Sequence, residues 1–255
     1  MDASVGVNGV KLGFSADNDC TKPTVTVPDI DEVYIYAQHH IHLSSEHTLN
    51  DEFFSAELHM VHLNAAGTRA AVVGTFIEPS RVSDNPIFES YLNAFKAGRR
   101  EVECNACWIE KNKDSDRAAN SDDHHPYKLL ESNTFYHYDG GLTTPPCSEI
   151  VWWNLADTPM SISVRQFAEL SDIILNTMVL ENGVCKKITV ANKGGSTSRD
   201  VQPLYGRTID KICPSAMNPG VVSIQQGDNE SAASAAVVGV TGAITLAAAM
   251  ASQVF

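Results

Sequence analysis

From Tyr34 to Leu43 and again from Ala56 to Leu63 the chain alternates with a period of two, and histidines take part in the alternation. Successive residues of a strand point to opposite faces, so i and i+2 share one. Read as a strand, the first run carries Tyr34, Tyr36, Gln38, His40 and His42 on one face and Ile35, Ala37, His39, Ile41 and Leu43 on the other. The second carries Glu57, His59 and Val61 on one face and Leu58, Met60 and His62 on the other. Arg69 to Ile77 is mostly apolar and of strand length, consistent with a buried strand. Val10 to Phe14 and Thr24 to Val27 read as short strands on either side of a polar turn, Ser15 to Cys20. Helical spacing is clearest at one place: Ile87, Tyr91 and Phe95 recur at i, i+4 and i+8 behind Pro86, which suits a first helical turn. This predicts a helix over 86–96, with Gly98 placed to stop it. Lys111 to His125 is polar and charged and reads as a surface loop, its His124 and His125 as solvated side chains.

The histidine alternation changes the picture from fold to chemistry. Six of the nine histidines fall between Gln38 and His62. If the two strands pair, His40, His42 and His59 converge on one point, with Gln38 and Glu57 beside them. Three neutral imidazoles leave the fourth tetrahedral position of a zinc ion open, the arrangement of catalytic zinc. Each ligating imidazole normally gives its other N–H to a carboxylate, amide or carbonyl, and Gln38 and Glu57 sit where they can receive it. Zinc so held lowers the pKa of bound water from about 15.7 to about 7. The plainer alternative is a row of polar residues on a wet sheet face.

A second stretch, Tyr136 to Trp153, reads YHYDGGLTTPPCSEIVWW. Gly140 and Gly141 permit unusual backbone angles, and Pro145 and Pro146 stiffen the backbone after them. Thr143 and Thr144 lie between, two hydroxyls in a loop with little freedom, suited to orienting a nucleophile on a metal. The same residues also read as a turn before a strand.

At 255 residues the chain can bury one sizeable core. Its net charge of −13 argues against nucleic acid as a partner, because phosphate contacts need clustered Lys and Arg. Six cysteines are too few for a disulfide scaffold but point to an oxidising compartment; Cys104 and Cys107 form the one C-x-x-C pair. The first ten residues carry no basic region or long apolar run of a signal peptide. Ser231 to Phe255 is uncharged and rich in Ala and Val, and reads as a membrane anchor or a GPI-attachment signal. The organisation expected is a catalytic domain over 1–212, a polar linker over 213–230 and a hydrophobic tail over 231–255, in a secretory or membrane-tethered setting.

Gln38-x-His40-x-His42, Ser45-Glu46-His47-Thr48, Ala56-Glu57-Leu58-His59-x-Val61-His62 and Gly141-Leu-Thr-Thr-Pro-Pro-Cys-Ser-Glu149 together resemble the alpha-class carbonic anhydrases. Arg199-x-x-Gln202-Pro203-Leu204-x-x-Arg207 looks like that family's closing motif, and the resemblance runs in register from about Val10 to Arg207. It implies a mainly β fold, a large twisted and mostly antiparallel central sheet with peripheral helices. It also implies reversible hydration of carbon dioxide to bicarbonate by zinc-bound hydroxide. His40, His42 and His59 match the zinc ligands, with Gln38 and Glu57 as their hydrogen-bond partners. Thr143 matches the residue that accepts a hydrogen bond from the hydroxide, Glu46 the carboxylate that orients that threonine, and His47 and Tyr138 supporting members of the network. Val61, Val72, Leu142, Val151 and Trp153, with Thr143 and Thr144, match the surroundings of the substrate. An uncharged linear substrate needs such a dry pocket and few polar contacts.

Departures from the family are also legible. Its opening segment, with a Ser-Pro-Ile motif and two aromatics beneath the site, has no counterpart, so the amino-terminal part of the domain reads as missing. Its proton-shuttle histidine is expected near Asn8 to Lys11, where no histidine stands; His39 and His124 are weak substitutes. Leu43 and Gly141 replace the usual Trp and Ser. Cys147 matches a disulfide cysteine whose partner lies in the missing segment, which leaves Cys20 as a substitute partner and Cys185 with Cys213 as another pair. Two other readings remain open. His40-x-His42-x-x-x-Glu46 also fits a cupin-type metal enzyme with Glu46 as a ligand, and an incomplete domain fits a non-catalytic binding module.

Overall fold

The computed structural model describes residues 2–13, 22–27, 32–102 and 126–213. Ten strands form one mixed sheet: β1 (Asp2–Gly6), β2 (Gly9–Gly13), β3 (Thr24–Val27), β4 (Glu32–Leu43), β5 (Ala56–Asn64), β6 (Ala70–Ser80), β7 (Phe135–Gly140), β8 (Val151–Ala156), β9 (Met160–Ser163) and β12 (Asp210–Ile212). The path is β1-β2-β4-β5-β6-β8-β7-β12, with β3 also on β4 and β9 also on β6. Pairing is antiparallel except where β6 meets β8 and β9. A small hairpin, β10 (Met178–Glu181) with β11 (Val184–Lys187), stands apart. The described residues are thus mainly β, with two α-helices among them, α1 (Pro86–Val102) and α2 (Val164–Asn176).

Both helices pack on one face of the sheet. Phe88, Tyr91, Leu92 and Phe95 of α1 and Leu170, Ile173 and Ile174 of α2 join Ile41, Leu58 and Met60 in the main core. The opposite face carries a smaller apolar cluster, Val61, Leu63, Ala70, Val72, Leu142, Val151, Trp153 and Leu155. β5 lies between β4 and β6 with all nine residues buried, which is why its pattern holds histidines and aliphatics alike.

Three expectations are corrected. The alternation of β4 is not continuous: a bulge between Tyr36 and Gln38 shifts the register, so Tyr36 pairs with His62 and Gln38 with Val61. The extra residue, Ala37, turns Tyr34 and Tyr36 onto the helix-packed face with Ile41 and Leu43, while Ile35 is exposed. Gly98 does not end α1, which runs on to Val102. A Cβ there would come within 2.6 Å of the Ala3 carbonyl oxygen, so this glycine serves the close crossing of α1 over β1. Cys147 and Cys213 are free thiols, so neither pairing that uses them forms, whereas Cys185 is disulfide-bonded.

The start of α1 is set by Asn85, whose Oδ1 accepts from the Ile87 and Phe88 amides at 3.0 and 3.1 Å ahead of Pro86. The sequence-based expectations contain no helix over α2. Its signal was Ser163-x-x-Gln166, a capping box in which the Ser163 side chain accepts from the Gln166 amide and the Gln166 side chain from the Ser163 amide. Cys20, Cys104, Cys107, His124, His125, most of the linker and the whole tail lie outside the described residues. Among the described residues no helix is long and apolar enough to cross a membrane.

Candidate metal centre

The register of β4 on β5 builds the centre. His40 stands directly opposite His59, and His42 directly opposite Glu57. Opposed residues of an antiparallel pair project from the same face with Cβ atoms about 4.5–5.5 Å apart. The three imidazole rings accordingly lie with centroids 4.9 to 5.1 Å from one another. One nitrogen from each ring falls within 4.8 Å of the others, and all three side chains are buried.

The outward nitrogens are tied down. His40 Nδ1 lies 2.9 Å from Gln38 Oε1, His59 Nε2 2.7 Å from Glu57 Oε1, and His42 Nδ1 3.4 Å from the Thr197 carbonyl oxygen. Each partner oxygen accepts a hydrogen bond from a ring N–H, which leaves the other nitrogen of each ring with a lone pair facing the common point. His42 Nε2 has no hydrogen-bond partner there, and His59 Nδ1 sits 3.3 Å from His40 Nε2. Burial holds the pKa of His40 well below its ordinary value, helped by the neighbouring His42 and His59; burial also lowers His42. At His59 burial acts the same way, but the Glu57 carboxylate outweighs it and raises the pKa. Buried, converging imidazole nitrogens fit zinc.

Glu57 anchors a second layer of contacts. Its Oε1 also lies 2.6 Å from His47 Nδ1, and its Oε2 accepts from the Glu46 and His47 amides at 2.9 and 3.0 Å. Burial disfavours its charge, yet His47 and His59 hold its pKa well below the usual carboxylate range. His47 Nε2 continues the chain of bonds to the Tyr138 hydroxyl at 2.5 Å. Glu46 Oε1 accepts from the Arg199 amide at 2.9 Å, while Oε2 is buried without a hydrogen-bond partner, 3.5 Å from His42 Nε2.

Thr143 lines a cavity of about 750 Å³ together with Glu46, His47, Tyr138, Arg199 and Arg207. Its loop is fixed by the Leu142 amide donating to the Ser148 carbonyl at 3.0 Å and by Trp153 Nε1 donating to the Gly141 carbonyl at 3.1 Å. Thr144 is buried beside it, its carbonyl accepting from the Cys147 amide at 2.9 Å. Val61 opposes Val72 across β5 and β6, and Val72 pairs with Trp153 across β6 and β8. With Leu142 and Val151 they form one apolar wall, and the Trp153 ring lies 4.8 Å from the rings of both His59 and His47.

Two histidines of the same strands stay outside the centre. His39, opposite Met60, points into the helix-packed core against Tyr91, so it cannot pass protons from the site to solvent. His62 lies on that side too, between Tyr127 and the Ala71 carbonyl. Thr197 is the site residue that the sequence reading lacks. It contributes a backbone oxygen to His42, while its Oγ1 accepts from the Leu43 amide and its own amide donates to the Leu43 carbonyl, both at 3.0 Å.

Comparison with known proteins agrees with this architecture. The profile of the family described as eukaryotic-type carbonic anhydrase matches residues 2–213. Carbonic anhydrase 7 of Homo sapiens is 29% identical over 232 residues, which span 82% of this chain and 76% of that protein. Alpha carbonic anhydrase 4 of Arabidopsis thaliana is 32% identical over 168 residues, 65% of this chain and 54% of that protein. Among solved structures, the alpha-carbonic anhydrase of Thermovibrio ammonificans in complex with the inhibitor sulfanilamide superposes with a TM-score of 0.55 at 27% identity, covering 82% of this chain and 74% of that one. The sheet is that of the alpha-carbonic anhydrases. The chain belongs to the eukaryotic-type carbonic anhydrase family. That membership leaves the cupin-type and non-catalytic readings without support.

Proposed function

We propose that this protein hydrates carbon dioxide reversibly, CO2 + H2O giving HCO3⁻ + H⁺, at a zinc ion held by His40, His42 and His59. The observation that carries the proposal is the convergence of three buried imidazole nitrogens whose opposite nitrogens are tied to Gln38, Thr197 and Glu57. Zinc in that position supplies a nucleophile at neutral pH by lowering the pKa of its water to about 7.

The chain's own residues do the rest. The Oε2 of Glu46 is buried beside the imidazoles with no hydrogen-bond partner. We assign the partnerless Oε2 of Glu46 as the acceptor for the Thr143 hydroxyl, which would leave the threonine oxygen as an acceptor that orients the nucleophile. Val61, Val72, Leu142, Val151 and Trp153 keep water from the side on which carbon dioxide lies. Glu57, held ionised, fixes His59 on one side and His47 on the other.

The test is zinc content and carbon dioxide hydration on the purified full chain, with His59→Ala as the control. One zinc per chain, with hydration that the control loses and sulfanilamide inhibits, is the expected result. Folded, zinc-free and inactive wild-type protein overturns the proposal. The secretory setting is part of the same proposal and rests on the cysteines and the apolar tail; fractionation that finds the full chain only in the cytosol removes it.

A further inference from the structure

Glu46 and Thr143 come from parts of the sheet that are not neighbours. Glu46 follows β4, Thr143 lies between β7 and β8, and β5 and β6 stand between β4 and β8. Their relative placement therefore depends on contacts outside the strand ladder, and the segment Ser196 to Arg199 supplies one. Thr197 ties that segment to the end of β4, its Oγ1 accepting from the Leu43 amide and its own amide donating to the Leu43 carbonyl, both at 3.0 Å. Two residues on, the Arg199 amide donates to Glu46 Oε1 at 2.9 Å. The guanidinium of the same residue donates through Nη1 to the Leu142 carbonyl at 3.3 Å. Leu142 directly precedes Thr143, and Arg199 is half-buried and lines the cavity with Glu46 and Thr143. A second tie across the gap, His47 to Tyr138, reaches β7 and stops short of the threonine loop.

We propose that Arg199 is a positioning residue for the hydration reaction, setting the Thr143 loop against Glu46. The inference rests on the hydratase reading above and on the pairing of Thr143 with Glu46 assigned there. The Arg199 amide engages Oε1 of the carboxylate, which leaves the buried Oε2 as the oxygen turned toward the site. The guanidinium then fixes the backbone from which the Thr143 hydroxyl rises, through a bond that its charge makes stronger than a neutral one. One residue thus sets both partners of the pair. Its side chain serves the threonine loop, whereas His42 is served by the main-chain oxygen of Thr197, so loss of the guanidinium leaves the imidazole contacts in place.

The experiment compares wild type, Arg199→Met, Arg199→Lys, Thr143→Ala and the double variant Thr143→Ala with Arg199→Met, all as the full chain. Hydration kinetics are measured on the zinc forms. Absorption spectra are measured with cobalt(II) in place of zinc, which report the metal's own surroundings without turnover. Arg199→Met is expected to lower kcat about 10-fold, less than the roughly 100-fold that a misplacement near 1 Å costs, with its cobalt spectrum like that of wild type. Arg199→Lys, which can still give one N–H to a single carbonyl, is expected to recover most of the loss. With Thr143 already replaced, Arg199→Met should cost little more, because the hydroxyl it positions is gone. An indifferent Arg199→Met, an equal loss in Arg199→Lys, or the same loss in the Thr143→Ala background overturns the proposal. An altered cobalt spectrum in Arg199→Met also overturns it, since the disturbance then reaches the imidazoles. Wild-type protein that takes up no metal or hydrates no carbon dioxide overturns the hydratase reading and this inference with it, whereas an active wild type with an indifferent Arg199→Met overturns Arg199 alone.

Discussion

Glu57 Oε1 lies 2.7 Å from His59 Nε2, and that contact turns His59 Nδ1 toward His40 Nε2, 3.3 Å away. The tautomer of one ligand is thus set by a carboxylate two residues earlier on the same strand face. Glu57→Gln keeps the shape but replaces the anion, and the orienting partners of metal-bound histidines are worth about 10–100-fold in metal affinity. The variant is expected to lose zinc to a chelator in that range, read by competition at fixed pH.

On the proposed pairing of Thr143 with Glu46, their substitutions should not add. Loss of one oriented hydrogen-bonding group at a reacting centre costs about 10²–10³ in kcat. Thr143→Ala and Glu46→Ala are each expected to fall in that range with zinc content retained. The double variant should sit close to the worse single, a non-additivity that steady-state kinetics on all four proteins measures directly.

The apolar wall predicts a steric defect separate from the metal. Val61 is 1% exposed and faces Val72. Val61→Tyr puts a ring against the wall where the proposed reaction seats carbon dioxide. Hydration kcat/KM is expected to fall at least about 100-fold, since a misplacement near 1 Å already costs about that much. Cobalt spectra of the uninhibited protein should stay near those of wild type.

Stability carries a pH signature from the other side of the sheet. Burial lowers the pKa of His62 from 6.5 to about 4. The unfolded chain therefore binds a proton that the folded chain refuses between those values, and stability falls as pH drops from 6.5 toward 4. For this fully buried group the linked loss is about 3 kcal/mol. Chemical denaturation at several pH values should show a shallower acid slope in His62→Gln, even if that variant is less stable at neutral pH.

Away from the site, Ser163→Ala removes the cap of α2 and the hydroxyl that bonds Asp84 at 2.5 Å. A cost of about 1–2 kcal/mol is expected, seen as a lower Tm, with zinc affinity unchanged.

How far the sequence foretold this structure depends on where each signal resides. His40, His42 and His59 were legible because strand periodicity and a short link between β4 and β5 are local properties. The loop holding Thr143 was legible through its glycines and prolines. Ala37 was not, because a bulge is decided by which residues of β5 it faces, and an alanine in an alternating run gives no hint of it. Gly98 misled because a glycine that ends a helix and one that admits a crossing strand look alike in sequence. Thr197 left no trace at all: it serves His42 through a backbone oxygen 155 positions away, which any residue type could provide.

The bulge at Ala37 makes β4 tolerant of length changes at one end and intolerant at the other. An insertion on the Glu32 side alters how Tyr34 and Tyr36 seat, and Ala37 absorbs the odd residue before it reaches the imidazoles. An insertion between Ala37 and His42 has no such buffer, and it would swing His40 into the greasy interior beneath the helices and bring His39 out in its place. Spacing upstream of Ala37 is therefore open to change in this strand, while the five residues from Gln38 to His42 are held to a fixed count.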